Sequence, residues 1–406
     1  MQRSEAAAIR MQQDFSSIEW LYGDETICHG NYSPDVPFST LVIEWLNALS
    51  RALMQDAESK FYPDVVTFAF FCRKAHITKL KEQYESNTIR MGRGLVFHIA
   101  PSNVPVNFAY SLVAGLLAGN MNVVRVSQKS FPQVELIVKH LHRIKDFNEV
   151  SNRIAIVRYP HDSNANEVLS GACAVRVIWG GDGTIDTVRQ NKLTSRATDV
   201  CFADRYSIAA INADKMVEEQ DMVAVAERFY NDTYLFDQNA CSAPHLIVWT
   251  GTAENVDKSR QRFWKSVHDV AEKKYGFQDV MAVDKLTATY RQAVAMPLHV
   301  NHCQDNLLRR VSVEHLPTDL DVYRCAGGYF TEYCAKELDE IAPIVTSKYQ
   351  TLAYYGYTKE RLQKFVFENR LKGLDRIVPL GETTTFSLTW DGMDLIERLS
   401  RIIDIQ

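Results

Sequence analysis

Between residues 94 and 190 the sequence alternates short apolar runs with longer stretches that carry helix signals, and this alternation strongly constrains the fold. The apolar runs predict buried strands at residues 94–100, 122–127, 153–157 and 175–179. The stretches between and after them predict helices at residues 108–118, 132–144, 164–173 and 184–190. Strands and helices in such short succession are typical of a parallel α/β layer. The sequence therefore predicts an α/β fold.

The rest of the chain adds helical and strand-like segments on both sides of this layer. The predicted helices lie at residues 38–54, 65–80, 221–230, 258–275 and 393–403, and the predicted strands at 207–211, 246–249 and 375–390. Residues 276–330 show no regular pattern, so we expect an irregular region there. A chain of 406 residues exceeds the usual size of one hydrophobic core. We therefore expect two α/β domains with parallel sheets.

Composition and charge exclude several classes of protein. The 45 basic and 50 acidic residues give a net charge of -5, which argues against a general nucleic-acid binder. No apolar run approaches the ~20 residues of a membrane span, and the first 14 residues lack the apolar centre of a secretory signal. The eight cysteines form no Cys-x-x-Cys pair, so we expect no metal site and a reducing cytoplasm.

One cysteine has a setting that the other seven lack. Cys241 lies in Asp-Gln-Asn-Ala-Cys-Ser-Ala-Pro-His at residues 237–245, among small and amide side chains and just before the predicted strand at 246–249. A thiol in such a loop is either a nucleophile that carries an acyl group or one more buried structural cysteine. The spacing alone leaves both interpretations open.

Two loops follow predicted strands and break the regular pattern. Pro-Ser-Asn-Val-Pro at residues 101–105 cannot continue a strand or a helix, because its two prolines lack donors and restrict their neighbours. Gly-Gly-Asp-Gly at residues 180–183 stands between a strand and a helix, where backbone N–H groups can face a phosphate. The G-x-G-x-x-G dinucleotide fingerprint is absent, so this turn by itself does not establish an ordinary Rossmann domain.

Taken together and in order, these motifs resemble the aldehyde dehydrogenase superfamily. The matching segments are Pro-Ser-Asn-Val-Pro at 101–105, Ala-Gly-Asn-Met-Asn-Val-Val-Arg-Val-Ser at 118–127, Trp-Gly-Gly-Asp at 179–182, Gln-Asn-Ala-Cys-Ser at 238–242 and Asp-Glu-Ile-Ala-Pro-Ile-Val at 339–345. The tail segments Asp-Arg-Ile-Val-Pro-Leu-Gly at 375–381 and Trp-Asp-Gly at 390–392 are most similar to the LuxC-type acyl-CoA reductases, the fatty-acyl reductases of bacterial bioluminescence. The similarity covers residues 90–406.

The resemblance implies an aldehyde-dehydrogenase-like arrangement of two α/β domains. A mainly helical part at residues 1–90 would pack on a Rossmann-like cofactor domain at 91–205. A catalytic domain at 206–370 would carry Cys241, and residues 371–406 would return towards the cofactor domain.

The resemblance also assigns the two catalytic residues. Cys241 would be the nucleophile that forms a thioester, because a thiolate both attacks and leaves readily. Asn103 would donate its side-chain amide to the oxyanion, a contact worth roughly 3 kcal/mol. The alternative for Asn103 is a residue that the turn between two prolines requires. His245, four residues after Cys241, is interpreted as structural.

The cofactor residues follow from the same resemblance. Arg125, Ser127 and Gln128 match the positions around the adenosine ribose, where the superfamily has lysine, serine and glutamate. Because Gln128 carries no charge that would repel a 2′-phosphate, we expect NADPH, with NADH also possible. The alternative is a solvated basic strand end.

Two further matches concern the pyrophosphate and the second ribose. Gly180 and Gly181 match the turn over the pyrophosphate, although the superfamily's later glycine there aligns with Ile185. Glu340 matches the glutamate that holds the nicotinamide ribose. As part of an acidic cluster, it could equally be a solvated surface residue.

One departure from the superfamily bears on the direction of the reaction. The segment 199–207 has apolar or thiol residues where we align the general base of the hydrolytic enzymes, although Asp199 could take that role. Without a base, water attacks slowly and the thioester survives for reduction. We therefore predict NADPH-dependent reduction of a fatty-acyl thioester to an aldehyde by a cytoplasmic homo-oligomer. The acyl donor would be acyl-CoA or a partner protein of the acyl-protein synthetase type. The alternatives are an oxidative aldehyde dehydrogenase and a non-redox acyl carrier or scaffold.

Overall fold

The computed structural model describes residues 15–29, 33–84, 88–144 and 147–406. The chain divides into two compact units, a first unit of Met1–Ala203 with Met393–Gln406 and a second unit of Asp204–Gly392. Residues 1–14, on which the expectation of no secretory signal rests, lie outside the described residues.

The first unit joins a helical N-terminal part to a six-stranded sheet and a separate pair of strands. Its strands before residue 204 are β1 (Glu19–Tyr22), β2 (Ile89–Gly92), β3 (Leu95–Ile99), β4 (Met121–Arg125), β5 (Ile154–Arg158), β6 (Val175–Trp179) and β7 (Thr198–Phe202). Its helices there are α1 (Thr40–Gln55), α2 (Pro63–Phe71), α3 (Lys74–Glu82), α4 (Asn107–Leu117), α5 (Pro132–Arg143), α6 (Asn148–Ser151), α7 (Ala165–Ala172) and α8 (Asp182–Arg189). Short 3-10 turns occupy Phe15–Ser17, Glu25–His29 and Glu58–Phe61. The predicted strands at 94–100, 122–127, 153–157 and 175–179 are confirmed as β3, β4, β5 and β6.

The sheet of the first unit has the strand order β1-β5-β4-β3-β6-β7. Only β1 runs antiparallel to its neighbour; the other pairs are parallel. The chain moves outward from β3 through β4 to β5, and then crosses to the other side of β3 for β6 and β7. The carboxyl ends of β3 and β6 therefore flank a topological switch point, the place where open α/β sheets bind ligands.

The centre of this unit contains a buried polar cluster beneath α4. His98 on β3 is fully buried, with Nδ1 2.7 Å from Ser111 Oγ and Nε2 3.0 Å from Asn122 Oδ1. Trp179 Nε1 donates to the same Ser111 oxygen at 2.9 Å. Gly115 allows this close packing, because a Cβ there would lie 1.8 Å from Asn122 Oδ1. The cluster thus ties β3, β4 and β6 to α4.

The second unit is built around a larger sheet. Its strands are β8 (Tyr206–Asn212), β9 (Pro244–Thr250), β10 (Leu298–Val300), β11 (Arg309–Val313), β12 (Tyr329–Cys334), β13 (Tyr349–Tyr355), β14 (Arg376–Pro379) and β15 (Thr389–Trp390). Its helices are α9 (Ala213–Met216), α10 (Met222–Asp232), α11 (Ala253–Lys274), α12 (Asp279–Ala295) and α13 (Lys359–Asn369). The 3-10 turns are Tyr234–Phe236, Leu320–Tyr323 and Leu338–Ile344.

The sheet of the second unit has the order β10-β11-β12-β9-β8-β13-β14. Apart from the antiparallel pair of β10 with β11, its strands are parallel. Strands β8, β9 and β13 are neighbours at the centre, so their amino ends meet at one edge. Ser207 pairs with Pro244 and Tyr206 with Tyr349 along that edge.

The tail adds β16 (Met393–Asp394), α14 (Leu395–Leu399) and β17 (Ser400–Ile403) to the first unit. The prediction of one helix over residues 393–403 is wrong in its second half, because β17 pairs antiparallel with β2. Arg93 Nε donates to the Ser400 carbonyl at 3.1 Å and supports this pairing. A partner more than 300 residues away in sequence overrides the local helical pattern.

Three further predictions need correction. Residues 276–330 are not irregular, since α12, β10 and β11 lie there. The periodic stretch at 65–80 is interrupted at Cys72-Arg73, where α2 ends and α3 has not begun. The strand-like segment at 375–390 is regular only at β14 and β15, with Gly381 between them at a φ of 99°.

The described residues contain neither a candidate membrane span nor a cluster of metal-ligating side chains. None of the helices in those residues is both long and apolar enough to cross a membrane. Within the same part of the chain, no three histidine, cysteine or carboxylate side chains are grouped as metal ligands would be.

Candidate active site

The loop that carries Cys241 lies between the 3-10 turn Tyr234–Phe236 and β9. It begins with two left-handed residues, Asp237 and Gln238, at φ angles of 52° and 60°. Gln238 is buried, and its amide Nε2 donates to the carbonyls of Pro244 (2.9 Å) and Tyr329 (3.0 Å). Its Oε1 accepts the backbone N–H of Gly328 at 2.9 Å. The loop is therefore held on both sides by one amide side chain, which offsets the strained backbone.

Cys241 is half-buried and makes polar contacts through both its backbone and its sulfur. Ser207 Oγ donates to its carbonyl at 2.7 Å. Gln350 Nε2 donates to its Sγ at 3.4 Å, and the same nitrogen donates to Asp391 Oδ1. Since a carboxylate only accepts hydrogen bonds, Asp391 fixes the Gln350 amide with its N–H groups, and not its oxygen, towards the sulfur.

These contacts come from one edge of the second sheet. Ser207 and Gln350 lie at the amino ends of β8 and β13, and Cys241 comes three residues before β9. Because the three strands are parallel neighbours, the topology gathers residues that are more than 100 positions apart in sequence.

The surroundings keep Cys241 protonated at neutral pH. Burial, reinforced by the negative charge of Asp391 and to a lesser degree of Asp204, raises the pKa of its thiol to about 11, against a partial opposing effect of the Gln350 hydrogen bond. Burial also raises the pKa of the Asp391 carboxyl. The sulfur is thus a thiol at rest, held beside a hydrogen-bond donor.

His245 does not act as the base for this thiol. Its ring stacks on Tyr206 with centroids 5.6 Å apart, and burial lowers the pKa of the imidazole to about 3, with a further effect of Arg324. The histidine is therefore neutral and fixed by packing, in line with its interpretation as structural.

The predicted cofactor residues other than Glu340 lie in the first unit and follow its central strands. Arg125 is the last residue of β4, and Gly180 directly follows β6. Asn103 is exposed in the loop after β3. Since β3, β4 and β6 are parallel, all of these positions are at the carboxyl edge, next to the switch point.

Arg125 has the properties of a residue prepared for an anionic ligand. Its side chain is buried; Nη2 lies 3.3 Å from His161 Nδ1, and the guanidinium lies 5.0 Å from the Tyr159 ring centre. Its Nε is buried and has no hydrogen-bond partner among the described residues. Ser127 Oγ accepts the backbone N–H of Lys129 at 3.1 Å, and Gln128 is exposed. A buried, unpaired donor is costly unless a ligand satisfies it.

Gly180 and Gly181 form the approach to the amino terminus of α8. Gly181 caps the helix and is exposed, and a Cβ built on it would meet no atom within 4 Å. The open space and the first backbone N–H groups of the helix suit a phosphate. These residues, together with Arg125, therefore fit the phosphates of a dinucleotide.

Glu340 is exposed and uses its carboxylate within its own segment. Oε1 accepts the backbone N–H groups of Lys336 (2.9 Å) and Glu337 (3.3 Å), and Oε2 accepts the Tyr333 hydroxyl at 3.3 Å. It forms a capping box with Glu337 at the start of the turn Leu338–Ile344. The side chain is thus held in one orientation, and its role towards a ribose stays a prediction.

The two carboxylates of segment 199–207 are both paired within their own units. Asp199 receives two hydrogen bonds from the buried Arg176, from Nε at 2.7 Å and from Nη2 at 3.0 Å. Asp204 receives Arg324 Nη2 at 2.6 Å and lies 3.2 Å from Lys348 Nζ. Cys201, between them, accepts from Arg189 Nη2 at 3.4 Å. Asp199 is therefore part of a structural ion pair, and this finding supports the absence of a general base in that segment.

Sequence reasoning did not identify Gln350, Asp391 or Gln238 as site residues. Gln238 belongs to the Gln-Asn-Ala-Cys-Ser motif and Asp391 to the Trp-Asp-Gly motif. No local sequence pattern indicates the hydrogen bonds that either side chain makes. Gln350 had no signal at all, because only the pairing of β13 with β8 brings it to the sulfur.

Comparison with known families gives one match over most of the chain. Residues 66–402 match the family described as "Acyl-CoA reductase (LuxC)". The "Long-chain acyl-protein thioester reductase" of Vibrio harveyi is 24% identical over 324 residues, covering 77% of this chain and 64% of the relative. The protein of the same name from Photorhabdus luminescens is 22% identical over 326 residues, with 78% and 65% covered. The chain thus spans a little under two thirds of the length of these relatives.

Solved structures show the same architecture at low identity. An NAD-dependent benzaldehyde dehydrogenase from Corynebacterium glutamicum superposes with a TM-score of 0.62 at 11% identity, over 93% of this chain and 86% of that one. Proline utilization A from Bdellovibrio bacteriovorus gives a TM-score of 0.63 at 13% identity, over 98% and 46%. The chain therefore has an aldehyde-dehydrogenase-like α/β fold, and the sequence-based expectation of that fold is confirmed.

Proposed function

The chain belongs to the LuxC family of acyl-CoA reductases, and on that premise we propose that it reduces a fatty-acyl thioester to a fatty aldehyde through a thioester on Cys241. The observation that carries the proposal is the contact of Gln350 Nε2 with Cys241 Sγ. A cysteine that is only structural has no need of an amide donor that a carboxylate contact holds in place.

The first step would be an exchange of thioesters. The Cys241 sulfur bonds to the acyl carbon, the carbon–sulfur bond of the donor breaks, and the Sγ proton ends on the departing donor thiol. The Gln350 N–H stabilises negative charge on Sγ while it forms.

The second step would be reduction of the enzyme-bound thioester. A reduced nicotinamide dinucleotide, when bound, supplies a hydride to the carbonyl carbon. The carbon–sulfur bond to Cys241 then breaks, the aldehyde leaves, and Sγ recovers a proton. Gln350 would again stabilise the sulfur as it departs. Asn103 stays a predicted donor to the carbonyl oxygen, to be tested by its replacement with alanine.

Survival of the thioester against water has three supports in the structure. Asp199 and Asp204 are both paired with basic side chains. Burial lowers the pKa of His245 to about 3, so the imidazole is too weak a base to activate water at neutral pH, and its ring is stacked on Tyr206. None of these three groups is free to activate water, which favours reduction over hydrolysis.

We propose NADPH as the cofactor, with NADH as the second choice. Arg125, Ser127, Gly180, Gly181 and the uncharged Gln128 would hold it, and Glu340 would hold its nicotinamide ribose. Arg125 Nε, which has no hydrogen-bond partner in the described part of the chain, supports an anion near the end of β4. Because Gln128 is uncharged, it does not repel a 2′-phosphate, as a carboxylate at this position would.

The acyl donor would be a protein thioester or acyl-CoA. The curated relatives are named for acyl-protein thioesters, which favours an acylated partner protein of the acyl-protein synthetase type. A reducing cytoplasm would keep the Cys241 thiol available.

Mass spectrometry of the intact protein tests the proposal. Incubation with a long-chain acyl-CoA should add one acyl mass, and peptide mapping should place it on Cys241. Addition of NADPH should remove the adduct and release aldehyde. Cys241→Ser should not be acylated, whereas Cys334→Ser, at an exposed cysteine, should behave as the unmodified protein does.

Other outcomes would contradict the proposal. Full acyl-CoA-dependent NADPH oxidation by Cys241→Ser would exclude the thioester. An adduct that NADPH does not remove would favour an acyl carrier. Oxidation of an aldehyde to a carboxylic acid by NADP, with water and no thiol as the acyl acceptor, would favour an aldehyde dehydrogenase.

A further inference from the structure

Helix α12 has its polar side chains inside and its large apolar side chains outside. Lys285, Thr289 and Gln292 are buried, with 1%, 5% and 0% of their surface exposed. The exposed large apolar residues of the helix are Val280 (59%), Val283 (63%), Leu286 (44%), Tyr290 (63%) and Val294 (90%). A helix on the surface of a globular unit normally shows the opposite arrangement.

Hydrogen bonds prevent the helix from rolling to bury its apolar side. Lys285 Nζ donates to the Asn306 carbonyl at 2.6 Å. Gln292 Nε2 donates to Thr331 Oγ1 at 3.2 Å, and its Oε1 accepts the Tyr329 hydroxyl at 2.8 Å. Turning these groups outward would leave buried partners on β12 unsatisfied, so the orientation of the helix is fixed.

The exposed apolar residues form one continuous face. Their spacings of three, three, four and four residues keep them on the same side of an α-helix. We call this set, Val280, Val283, Leu286, Tyr290 and Val294, the apolar stripe. It ends beside the edge strand β10, where Val300 is 39% exposed. Contiguous apolar surface of this kind marks an interaction site.

One acidic and one basic side chain lie beside the apolar stripe, in opposite halves of the same helix. Asp284 lies in its amino-terminal half and Arg291 in its carboxyl-terminal half, and both are exposed. At 100° per residue, the two lie about 20° apart on the same flank of the stripe. Neither forms an ion pair with a described residue of its own chain.

We propose that a second copy of this chain covers the apolar stripe, with the two α12 helices antiparallel about a two-fold axis near Thr287. Such an axis keeps the flank and reverses the direction of the helix. Asp284 then comes level with Arg291 of the second copy, Leu286 with Tyr290, and Val280 with Val294. The acidic half of each helix meets the basic half of the other, and the apolar side chains meet between them.

The apolar stripe offers only a small contact area for a dimer. Helix α12 has 17 residues and is about 25 Å long. One helix face is smaller than the roughly 800 Å² per partner of a standard interface. We therefore expect a reversible dimer, to which the adjoining edge of β10 contributes. The dimer is independent of the chemistry at Cys241.

Charge reversal on the full chain distinguishes a second copy from any other occupant. Sedimentation velocity over a concentration series should show a monomer–dimer equilibrium for the unmodified protein. Asp284→Arg and Arg291→Asp should each raise the dissociation constant by about tenfold or more, because each places like charges opposite each other at two symmetric positions. The double variant should return to within about threefold of the unmodified protein.

Val294→Asp tests the apolar part of the contact, with Phe367→Asp as its matched control. Phe367 is 74% exposed in the same unit, on α13. Val294→Asp should abolish the dimer, and Phe367→Asp should leave it unchanged. Circular dichroism checks that each variant is folded, and if Val294→Asp is not, the charge reversals alone decide.

Several results would overturn the proposal. These are a monomer at every concentration of the unmodified protein, a dimer that both single charge reversals leave intact, a double variant as weak as the singles, or a folded Val294→Asp that still dimerises. Failure at Cys241 in the acylation experiment would not affect this result.

Discussion

The charge of Asp391 should set how much of Cys241 is thiolate. Asp391 Oδ1 and Cys241 Sγ share the donor Gln350 Nε2, which lies 3.4 Å from the sulfur. With an ordinary length for the second hydrogen bond, oxygen and sulfur are no more than about 6 Å apart. Asp391→Asn removes the negative charge and keeps an oxygen that accepts the Gln350 N–H.

The size of the effect follows from that separation. Two unit charges about 6 Å apart interact by roughly 0.7 kcal/mol in water and by roughly 3 kcal/mol at an effective dielectric constant of 20. Cys241 is half-buried, so we expect an intermediate value of about 1.4 kcal/mol, or one unit of pKa. Asp391→Asn should therefore lower the pKa of the Cys241 thiol, from about 11 in the unmodified protein, and raise the thiolate fraction about tenfold at about pH 9 and below.

Alkylation by iodoacetamide measures this fraction, because only the thiolate reacts. The rate at Cys241, followed by peptide mass spectrometry from about pH 7 to about pH 9, should be about tenfold faster in Asp391→Asn. The exposed Cys334 serves as an internal standard in every sample. Arg376 and Asp204 also act on the thiol and are unchanged in the variant.

Gln350→Ala is the control with the opposite sign. It removes the N–H that donates to Sγ, so the pKa of the thiol should rise and alkylation should slow. A general loosening of the site would shift both variants in the same direction. An unchanged or slower rate in Asp391→Asn would refute the reasoning.

Three further predictions concern the first unit and its cofactor. Gly115→Ala should destabilise the unit by about 3 kcal/mol in urea unfolding, at the upper end of overpacking costs, because its Cβ would lie 1.8 Å from the buried Asn122 Oδ1. Gly171→Ala is the control, since the space around Gly171 is open and the change should be tolerated. Equal effects of the two substitutions would contradict the argument. Burial lowers the pKa of His98 to about 4 from 6.5, so between these pH values the unfolded chain binds a proton that the folded chain does not, and the free energy of unfolding falls as the pH falls. At pH 5 the loss is about 2 kcal/mol. His98→Gln should lack this loss when unfolding is compared at about pH 7 and about pH 5. Gln128→Glu should weaken NADPH about tenfold relative to NADH in fluorescence titration, and an unchanged ratio would remove Gln128 from the proposed ribose site.

Much of the fold could be predicted because its strands are marked locally. In β3, β4 and β6 every residue is buried and most are apolar, so the strands appear in sequence as short, mainly apolar runs bounded by turns. Cys241 was also identifiable, since its loop differs from the settings of the other cysteines. The motif order then supplied the family, which residues 66–402 confirm.

Helix α12 was missed because its pattern is inverted. Periodicity identifies a helix by the apolar side that faces the core, whereas here Lys285, Thr289 and Gln292 face it. Their partners, Asn306, Tyr329 and Thr331, lie 21 to 39 residues further along the chain. A local pattern contains no information on such partners, and the region was therefore expected to be irregular.

The sequence by itself determined the parallel α/β class and the family, and it marked Cys241 as the candidate nucleophile, because burial of whole strands and the chemistry of short motifs are local properties. Only the tertiary structure decided which groups surround that thiol. Gln350 is 109 residues from Cys241 in sequence and reaches it because β8, β9 and β13 share one amino edge. Asp391, 150 residues from Cys241, joins the site through its contact with Gln350. The pairing of strands sets such distances, and with them the protonation state of the sulfur.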